Sequence, residues 1–414
     1  FVSCRSPFVE IVVLKASHSS SRTCLRASQM LRILVSGMVA KTHAALNGTS
    51  LYDLRGASAL QPLQIAEPAG RPLGRTTVCT ADGRVLPSVL IIGVQKAGTT
   101  SLYSDMRGHL QGFTPATAVE AGAKSTLVKE VHYFDKAQRM ARKGRDFYLA
   151  HYPPCDAAGT SDVYGVDATP NYLLEAHFVA EQMAAFFAAH IRSVRLLIVL
   201  RDPTERFASF FNHFVHTQLE TGNGYSQASA RARTPQIDEY ARHSLERVRL
   251  CLGWKGITET SPRLYELCGN IAPALKGGLY AQQLVTFLRF FPPDQMMLTT
   301  SRSYVRDTTR AMADVADFLG TGLKPASRGA RLDASRQNTA TSRGVAEKQR
   351  LSPVLSAELD AFYAPHTLQL LALLKTPQVS GSMRSTPFHP VTAIDPADVG
   401  LHGPLAPLTR RGLQ

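Results

Sequence analysis

The stretch VLIIGVQKAGTT, residues 89–100, carries more structural information than any other part of the sequence. Its first four residues form a continuous apolar run, which is typical of a strand buried on both faces. A glycine-containing turn follows, and a helix is predicted from Thr99 to Leu110. Backbone N–H groups at the start of a helix favour a bound phosphate. The stretch therefore predicts a phosphate loop between a buried strand and a helix.

The side chains of this loop suit an anion. Gly98 lets the backbone approach a ligand closely, Lys96 adds a positive charge, and Thr99 and Thr100 add hydroxyl donors. The pattern departs from the ATP-binding loop G-x-x-x-x-G-K-[ST], because the lysine stands before the second glycine. The later apolar strand at 196–200 ends in Arg201, and a basic residue there suits direct binding of an anion better than binding through Mg²⁺. We therefore predict direct binding of a phosphate-like group, without a metal ion.

Strands and helices alternate along the chain beyond this loop. Apolar runs and amphipathic patterns predict strands at 163–166, 196–200 and 296–298, and helices from residue 203, over 278–291 and over 307–319. Such alternation is typical of an α/β fold, in which ligands bind at the carboxyl ends of parallel strands. The predicted fold is a P-loop-like parallel sheet flanked by helices.

Composition divides the chain into three parts. Residues 1–84 contain scattered Ser, Arg, Gly and Pro with little periodicity, and are predicted to be a leader, stem or linker that is largely irregular. Residues 85–375 are predicted to form the α/β domain. The proline-rich residues 376–414 are predicted to be a disordered tail. Within the middle part, residues 219–275 lack a regular pattern and are predicted to be an insertion.

The charge balance favours an anionic partner. Lys and Arg number 46 against 32 Asp and Glu, which gives a formal net charge of +14. A nucleotide, an acidic lipid, a nucleic acid or an anionic polysaccharide would suit this charge. The sequence has no zinc spacing and no basic run with interleaved aromatic residues, so a nucleic-acid partner is disfavoured.

The six cysteines contain no C-x-x-C pair, which argues against a zinc site and against thioredoxin-like redox chemistry. Cys251 and Cys268 bracket a loop-like stretch. They would form a disulfide in an oxidising compartment, or stay as two buried thiols, and the sequence does not distinguish these states.

A second segment follows the apolar run that ends at residue 200. Asp202 is a candidate N-cap and Pro203 the first residue of the next helix. Ser209 lies two turns into that helix, so Arg201 and Ser209 are predicted to reach one phosphate. Arg206 lies one turn from Asp202 and is predicted to pair with it on the surface.

A third segment, KEVHYFD at residues 129–135, combines a carboxylate with an imidazole. In an extended backbone Glu130 and His132 would share one face, with Lys129 beside them. A carboxylate that faces an acceptor hydroxyl can act as a general base. The alternative is a polar strand end with a satisfied histidine, and the segment alone does not decide between them.

Taken together, these segments resemble the carbohydrate sulfotransferases of the heparan sulfate and chondroitin sulfate type, which use 3′-phosphoadenosine 5′-phosphosulfate (PAPS). Lys96 to Ser101 is similar to the family's 5′-phosphosulfate loop, and Arg201 to Ser209 to its 3′-phosphate segment. Residues 129–135 look like the family's K-E-x-H-[FY]-F-D stretch, and residues 276–284, KGGLYAQQL, match a further family segment. The resemblance covers about residues 85–375 and implies a sulfotransferase fold.

The resemblance implies transfer of a sulfonate group from PAPS to a hydroxyl of a carbohydrate, either glycosaminoglycan-like or another anionic polysaccharide. Glu130 would be the general base, Lys96 would stabilise the leaving group, and His132 would support the base or orient the acceptor. The implied cofactor-binding residues are Lys96, Ala97, Gly98, Thr99, Thr100, Ser101, Arg201, Ser209 and Tyr280. Lys129 and Asp135 would bind the acceptor, and no metal is implied.

The resemblance also implies a location. Family members of this type work in the Golgi lumen, on anionic or neutral polysaccharides, and this predicts a type II membrane anchor upstream of the given chain. The apolar runs 8–14 and 30–40 are shorter than the roughly 20 residues that span a bilayer. Asn47-Gly48-Thr49 is a glycosylation sequon, which agrees with a glycoprotein on a lumenal route.

Two departures from the family bear on the acceptor. Heparan-type members often carry Arg where Thr100 stands and Lys where Ala168 stands. The resemblance therefore leaves the sugar open. Two other functions remain as alternatives: a P-loop phosphotransferase that uses ATP, and a non-catalytic binder of anionic glycans.

Overall fold

The computed structural model describes residues 2–6, 9–13, 79–80, 83–119, 127–155, 163–221, 236–261, 263–269, 272–333, 348–385, 389–390 and 394–401. The chain divides into two compact units, residues 1–62 and 63–414. In the first unit, β1 (Val2–Ser6) pairs in antiparallel fashion with β2 (Val9–Val13). Most of the predicted leader, including Asn47, lies outside the described residues.

The second unit contains an eight-stranded sheet. Its strands are β3 (Val89–Gly93), β4 (Phe113–Thr117), β5 (Leu127–Val128), β6 (Tyr164–Asp167), β7 (Arg195–Leu200), β8 (Met296–Thr300), β9 (Arg384–Ser385) and β10 (His389–Pro390). They lie in the order β10-β9-β8-β7-β3-β6-β4-β5. The pairings from β9 to β4 are parallel, and the outer strands β5 and β10 are antiparallel to their neighbours.

Helices connect and flank these strands. They are α1 (Thr99–His109), α2 (Ala137–Ala150), α3 (Asn171–Leu174), α4 (Ala176–Phe187), α5 (Pro203–Thr221), α6 (Ile237–Lys255), α7 (Leu264–Cys268), α8 (Pro273–Lys276), α9 (Tyr280–Leu288), α10 (Ser301–Arg306), α11 (Thr308–Leu319), α12 (Pro353–Lys375) and α13 (Pro377–Ser380). Among the described residues, no helix is both long and apolar enough to cross a membrane.

The central strand β3 confirms the predicted α/β fold. All five of its residues are buried, as the apolar run indicated. After β3, the chain adds β4, β5 and β6 on one side of this strand and then β7 and β8 on its other side. β3 therefore lies at the point where the strand order reverses. Ligands of open parallel sheets bind in the crevice at the carboxyl ends of the strands around such a point. That edge carries the phosphate loop after β3 and Arg201 after β7.

The segment 219–275, predicted to be an insertion without a regular pattern, contains regular structure where it is described. It contains α6, a 19-residue helix that buries one face along its whole length. The sequence pattern was obscured because Leu250 and Trp254 are apolar but face solvent, with Trp254 90% exposed. Two exposed large apolar side chains on the outer face hide the periodicity by which an amphipathic helix is recognised.

Residues beyond 376 also differ from the predicted disordered tail where the structure describes them. They form α13, the short strands β9 and β10, and a 3₁₀ turn at Pro396–Val399. β9 pairs in parallel with β8 and so extends the sheet. The buried side chains of Val379, Met383 and Val399 explain why this proline-rich segment has fixed structure, since they add to the core.

Two disulfides join distant parts of the domain. Cys251 bonds to Cys268 and links the end of α6 to α7, which decides between the two states that the sequence left open. Cys79 bonds to Cys155, a pairing that no local feature of the sequence indicates. The sequence separations are 17 and 76 residues, respectively. Cross-links of this kind restrict the unfolded chain more when the closed loop is longer.

Removing either disulfide should lower the free energy of unfolding. We expect a loss of about 3 kcal/mol for the C251A/C268A variant and about 4.5 kcal/mol for C79A/C155A, because loop-closure entropy grows with loop length. Urea unfolding of both variants and of the unchanged oxidised chain measures the two losses. Unfolding curves identical to that of the unchanged chain would show that the bonds do not form in solution.

Candidate active site

The phosphate loop runs from Val94 to Gly98, between β3 and α1. Gly98 is the N-cap of α1 with φ 103° and ψ 15°, a conformation that favours glycine. The N–H of Val94 donates to the carbonyl of Val199 at 2.8 Å, which fixes the loop to β7. Ala97 is buried, whereas Lys96 is half-buried and Gly98 is exposed. The start of α1 therefore presents backbone N–H groups beside an exposed glycine, as anion binding requires.

Arg201 lies directly after β7 and contacts the phosphate loop. Its Nη1 donates to the carbonyl oxygen of Lys96 at 3.2 Å. The buried hydroxyl of Tyr280 donates to the carbonyl oxygen of Arg201 at 2.7 Å and so fixes its backbone. Three of the predicted cofactor-binding residues, Lys96, Arg201 and Tyr280, are therefore brought together. Ser209 lies farther along α5 and is partly exposed.

The helix α5 begins as predicted, but one of its arginines does not lie on the surface. Asp202 Oδ1 accepts a hydrogen bond from the N–H of Glu205 at 2.9 Å, which confirms the N-cap. The predicted surface pairing of Arg206 with Asp202 is wrong, because Arg206 is only 1% exposed. Its guanidinium donates to the carbonyl of Ala274 and packs against Gly277, where a Cβ would lie 2.6 Å from Cζ. Arg206 thus holds α8 beside α5.

The segment 129–135 forms a chain of charged side chains at the neighbouring end of β6. Glu130 Oε1 lies 2.5 Å from Lys129 Nζ, and Glu130 Oε2 lies 3.2 Å from His132 Nε2. His132 Nδ1 lies 2.7 Å from Asp135 Oδ2, which also accepts from Asn171 Nδ2 at 2.8 Å. The imidazole is therefore held between two carboxylates, with Glu130 at the more exposed end.

The backbone that carries these groups is not extended. His132 has φ 52°, in the left-handed region, so Glu130 and His132 meet by a turn and not by sharing one face of a strand. The N–H of His132 donates to Thr169 Oγ1 at 3.2 Å. The N–H of Val131 donates to Asp167 Oδ1 at 3.4 Å. The loop is therefore fixed to the residues that end β6.

Asp167 is the residue of this site that sequence reasoning missed. Its carboxylate is fully buried and accepts hydrogen bonds from the hydroxyls of Thr169, Tyr172 and Tyr148 at 2.6, 2.7 and 3.0 Å. Burial raises the pKa of Asp167, although these hydroxyl donors oppose the rise. The sequence feature that could have identified Asp167 is its place directly after the predicted strand at 163–166. Asp167 anchors the loop that positions Glu130.

The phosphate loop and the charged chain are connected through α3. A Cβ placed on Gly93, at the end of β3, would lie 2.6 Å from Leu173 Cβ, so α3 packs directly on the start of the phosphate loop. The first residue of α3 is Asn171, the residue that binds Asp135. The two groups of predicted site residues therefore lie at the same edge of the sheet, on adjoining segments.

Charge pairing sets the protonation states of the charged chain. Burial favours the neutral acid of Glu130, but the hydrogen bond from His132 and the charge of Lys129 outweigh it and lower the pKa of Glu130 to about 2. Burial also favours neutral His132, yet its hydrogen bonds to Asp135 and Glu130 raise the pKa of His132 to about 9. At neutral pH the site therefore holds a carboxylate next to an imidazolium.

The imidazole of His132 should titrate near pH 9 and not near its ordinary value of 6.5. Below this pKa the imidazolium is held by two carboxylates, and above it the ring loses its proton and its charge. NMR titration of the histidine ring protons measures the value. In the Asp135→Asn variant we expect a lower pKa, because the hydrogen bond and charge of Asp135 raise it. A titration near 6.5 in the unchanged chain would contradict this arrangement.

The fold and the site define an α/β protein with a strand–loop–helix unit, predicted to bind an anion, at the same sheet edge as the paired side chains of Glu130 and His132. The sulfotransferase domain family matches residues 86–353, and the chain belongs to this family. The resemblance found in the sequence is thereby confirmed at the level of the family.

Individual relatives are distant. The chain is 26% identical to mouse heparan sulfate glucosamine 3-O-sulfotransferase 3B1 over 240 residues, which is 58% of this chain and 47% of that protein. It is 23% identical to human bifunctional heparan sulfate N-deacetylase/N-sulfotransferase 3 over 235 residues, or 57% of this chain and 22% of that protein. The chain thus spans about half the length of the first of these relatives, and less of the second.

A solved sulfotransferase from Alicyclobacillus acidocaldarius is also similar. It shows 22% identity and a TM-score of 0.45, covering 70% of this chain and 96% of that one.

Proposed function

We propose that this protein transfers a sulfonate group from PAPS to a hydroxyl of a carbohydrate. The observation that carries this proposal is the Glu130 carboxylate, held by Lys129 and His132 at the sheet edge that also bears the phosphate loop. An anion-binding loop and a base on adjoining segments suit transfer between an anionic donor and a hydroxyl. The predicted domain at 85–375, together with the segment up to residue 401 that packs on it, would form the catalytic domain.

The donor set of the loop fits an anionic nucleotide. Gly98 is exposed and a Cβ built on it meets no atom within 4 Å, so the start of α1 is open to a ligand. Thr99, Thr100 and Ser101 follow in the first turn of α1, and Arg201 adjoins the loop. PAPS supplies an activated sulfonate on a phosphate leaving group. Lys96 would place a positive charge beside the leaving oxygen.

Glu130 would take the proton of the acceptor hydroxyl. A carboxylate with a pKa of about 2 is a weak base, because Lys129 and His132 stabilise its charge. An acceptor hydroxyl that replaces Lys129 Nζ at Glu130 Oε1 would remove one of these charges and raise the pKa of Glu130. The basicity of Glu130 would then rise when the acceptor binds. His132 would keep the carboxylate oriented.

The structure favours a supporting role for two of the predicted residues. The side chain of Asp135 has no exposed surface and binds His132 and Asn171, so it would hold the imidazole and not touch the acceptor. The hydroxyl of Tyr280 donates its hydrogen bond to the carbonyl oxygen of Arg201. Tyr280 would therefore act on the cofactor through the backbone of Arg201.

The acceptor class is a glycosaminoglycan or similar anionic polysaccharide. Both curated relatives described above carry heparan sulfate in their names. The net charge of +14 suits a polyanion. The two disulfides suit an oxidising compartment, and we propose the Golgi lumen.

One assay tests the function. Labelled PAPS is incubated with a panel of desulfated and sulfated polysaccharides, and the labelled position is mapped. We expect labelled polysaccharide without added metal. Transfer from ATP that needs Mg²⁺, with no response to PAPS, would instead indicate a phosphotransferase. Glycan binding without binding of adenosine 3′,5′-bisphosphate, measured by calorimetry, would indicate a non-catalytic binder.

A further inference from the structure

Two arginines lie side by side at the carboxyl ends of β7 and β8. The strands pair in parallel, with Leu200 opposite Thr300. Arg201 directly follows β7, and Arg302 lies in the first turn of α10, two residues after the end of β8. Nothing local in the sequence connects Arg201 with Arg302, which lies about a hundred positions later. The parallel pairing brings both to the crevice that holds the phosphate loop.

Both guanidinium groups contact one carboxylate, that of Glu205. Arg201 Nε lies 3.2 Å from Glu205 Oε2, and Arg302 Nη2 lies 2.6 Å from Glu205 Oε1. The three side chains are 30%, 41% and 43% exposed for Arg201, Arg302 and Glu205, respectively. Two positive charges therefore converge on a single negative charge, at a place that solvent and a ligand can reach. The three side chains together carry one net positive charge, and the carboxylates of Asp202 and Asp398 also act on Arg302.

The turn at 395–400 fixes the position of Arg302 through hydrogen bonds. Arg302 Nη1 donates to the carbonyl of Ala397 at 3.3 Å. The buried carboxylate of Asp398 accepts from Thr300 Oγ1 at 2.6 Å and from Ser303 Oγ at 3.2 Å, on either side of Arg302. The start of α10 is thus held in place before any ligand binds. Side chains fixed in this way lose little freedom when they take up a ligand.

The start of α5 is held against the same turn. A Cβ on Gly400 would lie 2.6 Å from Pro203 Cδ and 3.6 Å from Asp202 Oδ2, so the turn packs closely on the segment that follows Arg201. The turn therefore packs both on the segment that follows Arg201 and on the start of α10. Both arginines belong to one preorganised unit at the edge of the sheet.

We propose that Arg302 is a further phosphate-binding residue, which forms with Arg201 a site for the 3′-phosphate of a nucleoside 3′,5′-bisphosphate, and that Glu205 occupies this site when no nucleotide is bound. The proposal rests on the proposed function. A phosphate dianion matches two guanidinium groups better than a single carboxylate does, because it balances both charges and offers more acceptor oxygens. Glu205 is exposed in the first turn of α5 and can turn toward solvent.

Calorimetry with the full chain and two ligands tests the proposal. Adenosine 3′,5′-bisphosphate carries the 3′-phosphate, and adenosine 5′-phosphosulfate lacks it. In the Arg302→Gln variant we expect affinity for the bisphosphate to fall roughly 10- to 100-fold, the usual loss for a hydrogen bond to a charged group. Affinity for adenosine 5′-phosphosulfate should stay unchanged. The matched control is Arg310→Gln, which removes an exposed arginine paired with Asp314 on α11 and should change neither affinity.

A second variant tests the role of Glu205. Because its carboxylate competes for the two arginines, Glu205→Gln should bind the bisphosphate several-fold more tightly, and weaker binding would overturn this part of the proposal. Thermal unfolding by circular dichroism checks that each variant is folded. If Arg302→Gln weakens both ligands equally, Arg302 serves the structure only and the proposal is wrong.

The test separates this proposal from the proposed function. If the unchanged chain binds neither nucleotide, the proposed function fails. If it binds the bisphosphate and Arg302→Gln binds it equally well, the proposed function stands and the role of Arg302 is refuted. An Arg302→Lys variant keeps the charge but not the forked donors, and it should fall between the unchanged chain and Arg302→Gln.

Discussion

The Glu130→Gln variant should transfer sulfonate about 10²- to 10⁴-fold more slowly than the unchanged chain, which is the usual contribution of a general base. Glutamine keeps the shape of the side chain and its place between Lys129 and His132, but it cannot accept the hydroxyl proton. We expect kcat to fall, while the affinity for adenosine 3′,5′-bisphosphate measured by calorimetry stays the same. Initial rates with labelled PAPS and the preferred polysaccharide give the comparison.

A matched control is available on α6. Glu246 is an exposed glutamate on the outer face of that helix, and Glu246→Gln makes the same chemical change away from the sheet edge. Its activity should equal that of the unchanged chain. Full activity in Glu130→Gln would remove Glu130 from the role of base.

The Lys96→Met variant should lower the transfer rate by about 10²- to 10³-fold, the loss typical of removing one preorganised donor at a developing charge. Methionine approximates the length of the lysine chain but removes its charge. The leaving oxygen gains negative charge as the sulfonate departs, so the loss should appear mainly in kcat. Single-turnover measurements with saturating PAPS separate this effect from nucleotide binding.

Lys255→Met serves as the control for that variant. Lys255 is exposed at the end of α6, and its replacement should leave transfer unchanged. A Lys96→Met variant with an unchanged kcat and a raised KM for PAPS would show that Lys96 only binds the nucleotide. The leaving-group role would then have to be given to another residue.

The phosphate loop could be predicted from the sequence because its structure is local. A buried strand, a glycine turn and a helix start follow one another within residues 89–100, and each is encoded by its own residues. Asp202 was predictable as an N-cap for the same reason. Glu130 and His132 were predicted to share one face of an extended segment. Their side chains do lie together, but a turn at His132 brings them there and not an extended backbone.

Contacts between segments far apart in sequence could not be predicted. Arg206 is buried because Ala274 and Gly277 lie over it, and these residues are about 70 positions away. Asp167 anchors the segment with Glu130 through a contact to Val131, 36 positions earlier. From their sequence neighbours alone, charged residues at such positions are predicted to lie on the surface, because buried charges are rare unless they are paired.

The turn at Pro396–Val399 determines where a fragment of this protein can end and still keep its site intact. It lies beyond the family match at residue 353, yet Asp398 within it is the buried acceptor for Thr300 and Ser303. A protein cut after residue 375 would leave these hydroxyls without that acceptor and would uncover Pro203. Fragments intended for activity or crystallisation should therefore extend to at least residue 401.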